Sequence, residues 1–364
     1  MDLSLGIVGL PNVGKSTLFN ALTKKGIPAE NYPFCTIEPN IGVVLVPDER
    51  VEKIAKISNP IKTIYPIVEF YDIAGLVKGA HEGQGLGNQF LANIRNVNAI
   101  IHLVRDFSSA IVTHVENRID PKNDKEIIET ELILKDLETV EKSIYKMGEE
   151  ARKDKKNQKY LNLLTEIKHT LEKGQLVISI KKSGDIEIEK YRKSLFLLTD
   201  KPVIYLVNSE VSKCNSENVL KYKTLLDLPP ESSVILMDAQ IESEMIDLSP
   251  EDRKEFMKEY NIVDSALDRL IKECYKLLDL CTFFTEGPDE VRGWTIKRGY
   301  SAPEAAGEIH TDFKEKFITA EVVGYEDFIT YGGWQKAKDL GRMRLEGKGY
   351  IVKDGDIMII RHGA

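Results

Sequence analysis

No stretch of the 364 residues approaches the ~20 consecutive apolar residues that a membrane-spanning helix needs. Cysteine is scarce. Cys35, Cys214, Cys274 and Cys281 are the full set, and no two stand in C-x-x-C spacing. That excludes the usual zinc or redox pair and fits free thiols in a reducing compartment. No cluster of histidine and cysteine suggests a transition metal. Positive charge is not in excess: 50 Lys and Arg against 58 Asp and Glu leave a formal net charge of −8. The molecule as a whole is therefore no polyanion binder, sequence-specific DNA binding is not expected, and any contact with nucleic acid needs local basic patches. The first residues, Met1-Asp2-Leu3-Ser4-Leu5, carry no basic segment and no cleavage site, so a cytoplasmic chain without membrane contact is expected. Low-complexity tracts and repeats are also missing.

What is present has an α/β rhythm. The length allows two or three domains, each large enough to bury a core. Apolar runs at residues 3–8, 41–46, 64–71, 98–104 and 203–207, and at Ser233–Met237, read as strands, and helical patterns separate most of them. Strands alternating with helices predict an α/β domain with a mostly parallel sheet and flanking helices. Residues 124–173 break the rhythm. Ile133, Leu137, Val140, Ile144 and Met147 step by 4, 3, 4, 3, and Tyr160, Leu164, Ile167 and Leu171 repeat the pattern. Two such seams joined by the polar stretch 148–157 predict an antiparallel helical hairpin, its first helix (124–148) about 37 Å long. Two ordinary amphipathic helices packed on the sheet are the alternative. Residues 262–280 read as one long amphipathic helix. Beyond it, strand-like runs at 282–285, 291–296, 317–323, 350–352 and 357–360 surround a short helix at Ala302–Ile309. The expected division is a first domain over 1–280, with the hairpin inserted, and a smaller mixed domain over 281–364.

Gly9-Leu10-Pro11-Asn12-Val13-Gly14-Lys15-Ser16-Thr17 matches G-x-x-x-x-G-K-[ST] between a predicted strand and a predicted helix. Glycines let the backbone curl so that its N–H groups, from Asn12 to Thr17, point at phosphate oxygens. The helix N-terminus adds a favourable partial charge. Lys15 is the candidate bridge between β- and γ-phosphates, and Ser16 a candidate Mg²⁺ ligand. Asp72-Ile73-Ala74-Gly75 follows a predicted strand. A carboxylate there can hold Mg²⁺, and the Gly75 N–H can meet the γ-phosphate. Thr36 lies where a switch threonine would complete the metal shell, although alone it also reads as a turn residue. Ser16, Thr36 and Asp72 are oxygen donors, which suits Mg²⁺. Leu76 stands where many GTPases place a water-orienting glutamine. His81, His102 and His114 are candidates by position for that task, or else solvated loop residues.

The run 203–208 ends in Asn208-Ser209-Glu210-Val211, where a GTPase has N-K-x-D. The aspartate that reads guanine N1–H and its 2-amino group is missing. Adenine lacks those donors, so the basis for strong guanine discrimination is gone. Asn208 and Ser209 remain as base-side candidates.

These segments carry a resemblance: LPNVGKSTLFNALT from Leu10, NYPFCTIEPN from Asn31, YDIAGLVKGAHEGQGLGNQFL from Tyr71, IDPKNDKEIIETELILKDLETVEK from Ile119, and the long run from Phe283. Over essentially its whole length the chain resembles the YchF proteins, Obg-like ATPases of the translation-factor class. The resemblance implies a P-loop G domain with an inserted hairpin and a C-terminal TGS domain of ubiquitin-like β-grasp fold. It implies ATP hydrolysis with weaker use of GTP, a bound Mg²⁺, and ribosome binding. His114 sits where the family places a histidine proposed to help hydrolysis. The family's N-x-x-E is here one residue short, so a role carries over to Asn208 and not to Glu210. Two local basic surfaces are candidate docking patches: the hairpin tip, 146–159, and the tail from Trp334, each with an excess of three positive charges. An ATP switch, a GTP switch and a ribosome- or RNA-binding adaptor with structural nucleotide remain as readings. A small-molecule kinase is disfavoured because no Arg-rich lid is evident.

Overall fold

The run Ser4–Val8 forms strand β1, which is buried along its full length. The structure, a computed structural model, describes residues 4–25, 41–72, 93–108 and 118–363. β1 lies between β4 (Ile67–Asp72) and β5 (Ala99–Asp106) and is parallel to both. β6 (Val203–Ser209) and β7 (Ser233–Met237) extend the sheet in parallel, and β2 (Ile41–Leu45) closes the other edge antiparallel to β4. The order β2-β4-β1-β5-β6-β7 gives the mostly parallel α/β sheet expected from sequence. Its strands read as continuous apolar runs because helices cover both faces. Helix α1 (Lys15–Lys25) follows β1 after a tight loop and buries Leu18, Ala21 and Leu22 in the core.

The second sheet has the order β11-β10-β12-β8-β9-β3. β8 (Leu280–Glu286) and β9 (Glu290–Lys297) form a hairpin, and β10 (Phe317–Gly324) pairs antiparallel with β11 (Arg344–Glu346) and β12 (Asp356–His362). β12 runs parallel to β8 in the middle. Ala302, Ala305 and Ala306 of helix Ala302–Ile309 pack on Phe283, Ile296 and Phe317. This hairpin–helix–strand arrangement, with first and last strands parallel at the centre, is a β-grasp.

The sixth strand of that sheet comes from the other half of the chain. β3 (Lys62–Ile64) pairs parallel with β9, and the preceding helix α2 (Glu49–Ser58) buries Val51 and Ile54 against Phe284, Val291 and Ile357. The expected division near residue 280 falls where β8 begins, but residues 49–64 lie with the second sheet. The run 64–71, expected as one strand, is two strands in two sheets. Pro66 separates them, because its ring has no N–H to donate to either ladder.

The hairpin is formed by α3 (Pro121–Lys153) and α4 (Gln158–Glu172). Ile133, Val140 and Met147 meet Leu163, Leu164, Ile167 and Leu171 along the seam. Asp120 caps the first helix by accepting from Asn123 N–H, and Pro121 occupies its first turn. At 33 residues α3 is about 50 Å long, not the 37 Å expected, because it starts at Pro121 and continues through Gly148 to Lys153. At the other end, residues 262–280 are not one helix. An earlier helix (Pro250–Glu259) stops, Asn261 adopts a φ of 54°, and Ser265 caps a new helix, Ala266–Leu277.

Candidate functional site

Between β1 and α1 the backbone takes left-handed values at Asn12 (φ 64°) and Gly14 (φ 102°). A Cβ at Gly14 would overlap Asn208 Nδ2, and one at Gly9 would come within 2.5 Å of the Leu103 carbonyl oxygen. Both glycines are therefore required by close backbone approach as well as by curl. Lys15 folds back under the loop. Its ammonium donates to the Gly9 carbonyl at 3.1 Å and the Leu10 carbonyl at 2.7 Å. Burial lowers its pKa to about 8, against an opposing pull from the Asp72 carboxylate. Asp72 ends β4 beside it. Burial pushes its carboxyl up, and Lys15 holds it down.

Asn208, at the end of β6, ties the site together. Nδ2 donates to the Val13 carbonyl at 3.0 Å, and Oδ1 accepts from the Ala239 N–H at 3.1 Å. It thus joins the phosphate loop to the loop after β7. Asp238 starts the next helix, Ala239–Ile246, by accepting from the Gln240 and Ile241 N–H groups, and it also accepts from Val211 N–H at 3.2 Å.

A cleft of about 500 Å³ brings together Asn12, Gly14, Lys15, Ser16, Thr17, Asn208 and Ser209. Val13, also expected at the site, is buried and does not line the cleft; its carbonyl accepts from Asn208. Thr36, Gly75 and His114 lie outside the described residues, as do Leu76 and His81. His102 corrects an expectation. It lies inside the sheet on β5, its ring 5.6 Å from that of Tyr205, and it does not line the cleft. Burial drives its pKa down to about 3, so it is a neutral core histidine.

Phe107, Ser108, Glu210, Asp238, Ala239 and Gln240 also line the cleft, and sequence reasoning did not select them as site residues. They have no motif. The available signal is positional: all follow the carboxyl ends of β5, β6 and β7, where open α/β sheets bind ligands.

The donor set suits a magnesium ion. Ser16 presents an exposed hydroxyl at the start of α1, and Asp72 supplies a carboxylate on the neighbouring strand end. The glycine cradle leaves room for phosphate against N–H groups at a helix N-terminus. Among the described residues there is no group of three His, Cys, Asp or Glu side chains placed for a metal, and no helix is long and apolar enough to cross a membrane.

Residues 4–209 match the family model described as a 50S ribosome-binding GTPase. Residues 280–363 match the YchF-GTPase C-terminal model, described as a protein of unknown function. The chain is 48% identical to the ribosome-binding ATPase YchF of Bacillus subtilis, over 99% of both chains. It is 47% identical to the ribosome-binding ATPase YchF of Escherichia coli O157:H7, over 98% of both. The solved structure of the Schizosaccharomyces pombe YchF GTPase superposes with a TM-score of 0.87 at 38% identity, covering 99% of this chain and 98% of that one. A phosphate-loop cleft on a parallel sheet, a matching β-grasp module and this full-length similarity place the chain in the YchF family.

Proposed function

We propose that the chain is a magnesium-dependent nucleoside triphosphatase that hydrolyses ATP to ADP and phosphate and works as a nucleotide-controlled switch on the ribosome in the cytoplasm. The observation that carries this reading is the buried Lys15 ammonium. It is stored on two carbonyls of its own loop, beside Asp72, at the floor of a cleft wide enough for a nucleotide. The names of the bacterial relatives supply ATP and the ribosome.

In this reading Lys15 and the loop N–H groups, from Asn12 to Thr17, hold the β- and γ-phosphates. Ser16, Asp72 and Thr36 would hold the magnesium ion, which neutralises charge between those phosphates when bound. Gly75 N–H meets the γ-phosphate, and His114 orients the attacking water in place of the glutamine that Leu76 replaces. We assign residues 1–280 to the nucleotide domain, with 124–173 as its inserted hairpin, and 281–364 to a TGS domain, to which the excursion 49–64 is attached. Ribosome contact is assigned to the hairpin tip and the TGS domain.

Base choice follows from the cleft wall. Three residues after Asn208, where a GTPase has its guanine-reading aspartate, stands Val211, whose N–H is taken by Asp238. GTP preference is the second reading, and one observation favours it: Glu210 lines the cleft, and a carboxylate is the group that accepts from guanine donors. The name of the fission-yeast structure is also that of a GTPase. Calorimetric titration of the full chain with Mg·ATP and Mg·GTP decides between them. ATP is expected to bind at least as tightly. A clear GTP preference promotes the second reading.

A further inference from the structure

Arg105 is a buried cation at the edge of the cleft to which the chemistry above gives no task. It stands next to last in β5 and is 2% exposed. Its guanidinium meets two elements of the site. Nη1 donates to the Asn12 carbonyl at 3.0 Å. Nε donates to the Phe107 carbonyl at 3.2 Å, and Cζ lies over the Phe107 ring, 4.2 Å from its centroid. Asn12 is the loop residue in the left-handed conformation, and Phe107 is the aromatic wall of the cleft. One planar fork therefore holds the phosphate loop and that wall as a unit. A lysine ammonium has enough donors but is a point charge without the planar fork that spaces the two bonds and stacks on the ring.

The opposing charge comes from the hairpin. Asp124, in the first turn of α3, is 1% exposed, and its carboxylate supports the guanidinium charge that burial disfavours. The next residue fixes this turn to the sheet. Lys125 Nζ donates to the Leu226 carbonyl at 2.8 Å and lies 3.4 Å from Glu129, which accepts from the Tyr205 hydroxyl on β6. Two opposite charges are thus buried here, Asp124 at the root of the hairpin and Arg105 against the phosphate loop.

We propose that Arg105 is a positioning residue for nucleotide binding: it holds Asn12 and Phe107 in the triphosphate-accepting arrangement. The inference rests on the nucleotide reading above.

A purely structural role makes a different forecast. If Arg105 only neutralises Asp124, Arg105→Met strands a buried carboxylate and destabilises the fold, and adding Asp124→Asn cures everything. If Arg105 positions the loop, the double variant regains stability but not affinity. The test is calorimetric titration of the full chain with Mg·ATP, with thermal midpoints, for the parent, Arg105→Lys, Arg105→Met and Arg105→Met with Asp124→Asn. The double variant is expected to melt near the parent yet bind Mg·ATP about tenfold more weakly, the factor that ~1.4 kcal/mol represents. Arg105→Lys is expected to keep the stability and to bind with intermediate affinity. Parent-like affinity in the double variant overturns the inference and leaves the nucleotide reading standing. A parent that binds no nucleotide overturns both.

Discussion

Lys15 is held out of water before any phosphate arrives, and this makes nucleotide binding sensitive to pH. Its pKa in the free chain is lowered from 10.5 to about 8 by burial. The charged form is therefore penalised in the folded state below about pH 8, and that penalty fades as pH rises from 8 towards 10.5. Phosphate oxygens favour the charged form and raise the pKa of the bound state. Mg·ATP affinity should be level below about pH 8 and fall above it, because binding then requires proton uptake. Calorimetry in buffers of different ionisation enthalpy checks this: the heat should depend on the buffer at about pH 9 and hardly at all near pH 7. Lys15→Ala should remove the buffer dependence, leave the fold intact and weaken binding by roughly 1.5–3 kcal/mol. Buffer-independent heats at the higher pH would refute the proton uptake. The loop half of the cleft is legible in sequence because its lining residues between Asn12 and Thr17 stand close together in one motif, so the spacing itself encodes the geometry. The base half is not. Phe107, Glu210 and Gln240 come from three loops and meet only because β5, β6 and β7 end side by side.

At the scale of elements, the excursion between β2 and β4 is the joint of the molecule. The chain leaves the first sheet after Leu45 and returns to it at Ile67. In between, Ile61 and Lys62 N–H groups donate to the carbonyls of Pro288 and Asp289, and Arg50 spans Asp48 and Asp354. Ile54 is fully buried with Phe284, Val323 and Phe328. Ile54→Ala should cost about 2–5 kcal/mol, the range for a large apolar side chain removed from a packed core. Denaturant unfolding and hydrogen exchange measure it, and the protection lost should include β8 and β9. A change confined to α2 would show that the second sheet does not depend on this helix. Sequence patterns missed the joint for physical reasons. Val51 and Ile54 carry an ordinary amphipathic signal, which says that a helix is buried but not against which sheet. Long-range pairing such as Thr63 with Val291 leaves no local trace. Where the local code is strong, the reading is close: β7 and the Ala302–Ile309 helix have the expected limits. Gly148 misled because one glycine costs a helix interior only about 1 kcal/mol, and Met147 and Ala151 keep the helix packed on either side.

Over the whole molecule, the two basic surfaces are not equivalent once side-chain partners are known. In the tail, Arg344 lies against Glu346 and Asp356, and Arg361 pairs with Glu321, so part of its positive charge is spent internally. At the hairpin tip Lys159 is likewise engaged, by Asp185 and Glu187. Arg152, Lys153, Lys155 and Lys156, by contrast, are exposed around the turn between the long helices. The tip carries the more available charge, at the far end of a helix about 50 Å long. On a chain of net charge −8, such a patch meets phosphate by releasing counterions, so binding should weaken steeply with salt. The expected outcome is that the full chain co-sediments with ribosomes at low salt and dissociates as salt rises. Replacing Lys153, Lys155 and Lys156 together by glutamate should weaken that association while leaving Mg·ATP affinity unchanged, because none of the three approaches the cleft. A charge-reversed chain that sediments like the parent would remove the tip as the docking surface and leave the tail to carry it. A parent that never co-sediments, even at low salt, would remove the ribosome from the proposed function and leave the nucleotide chemistry untouched.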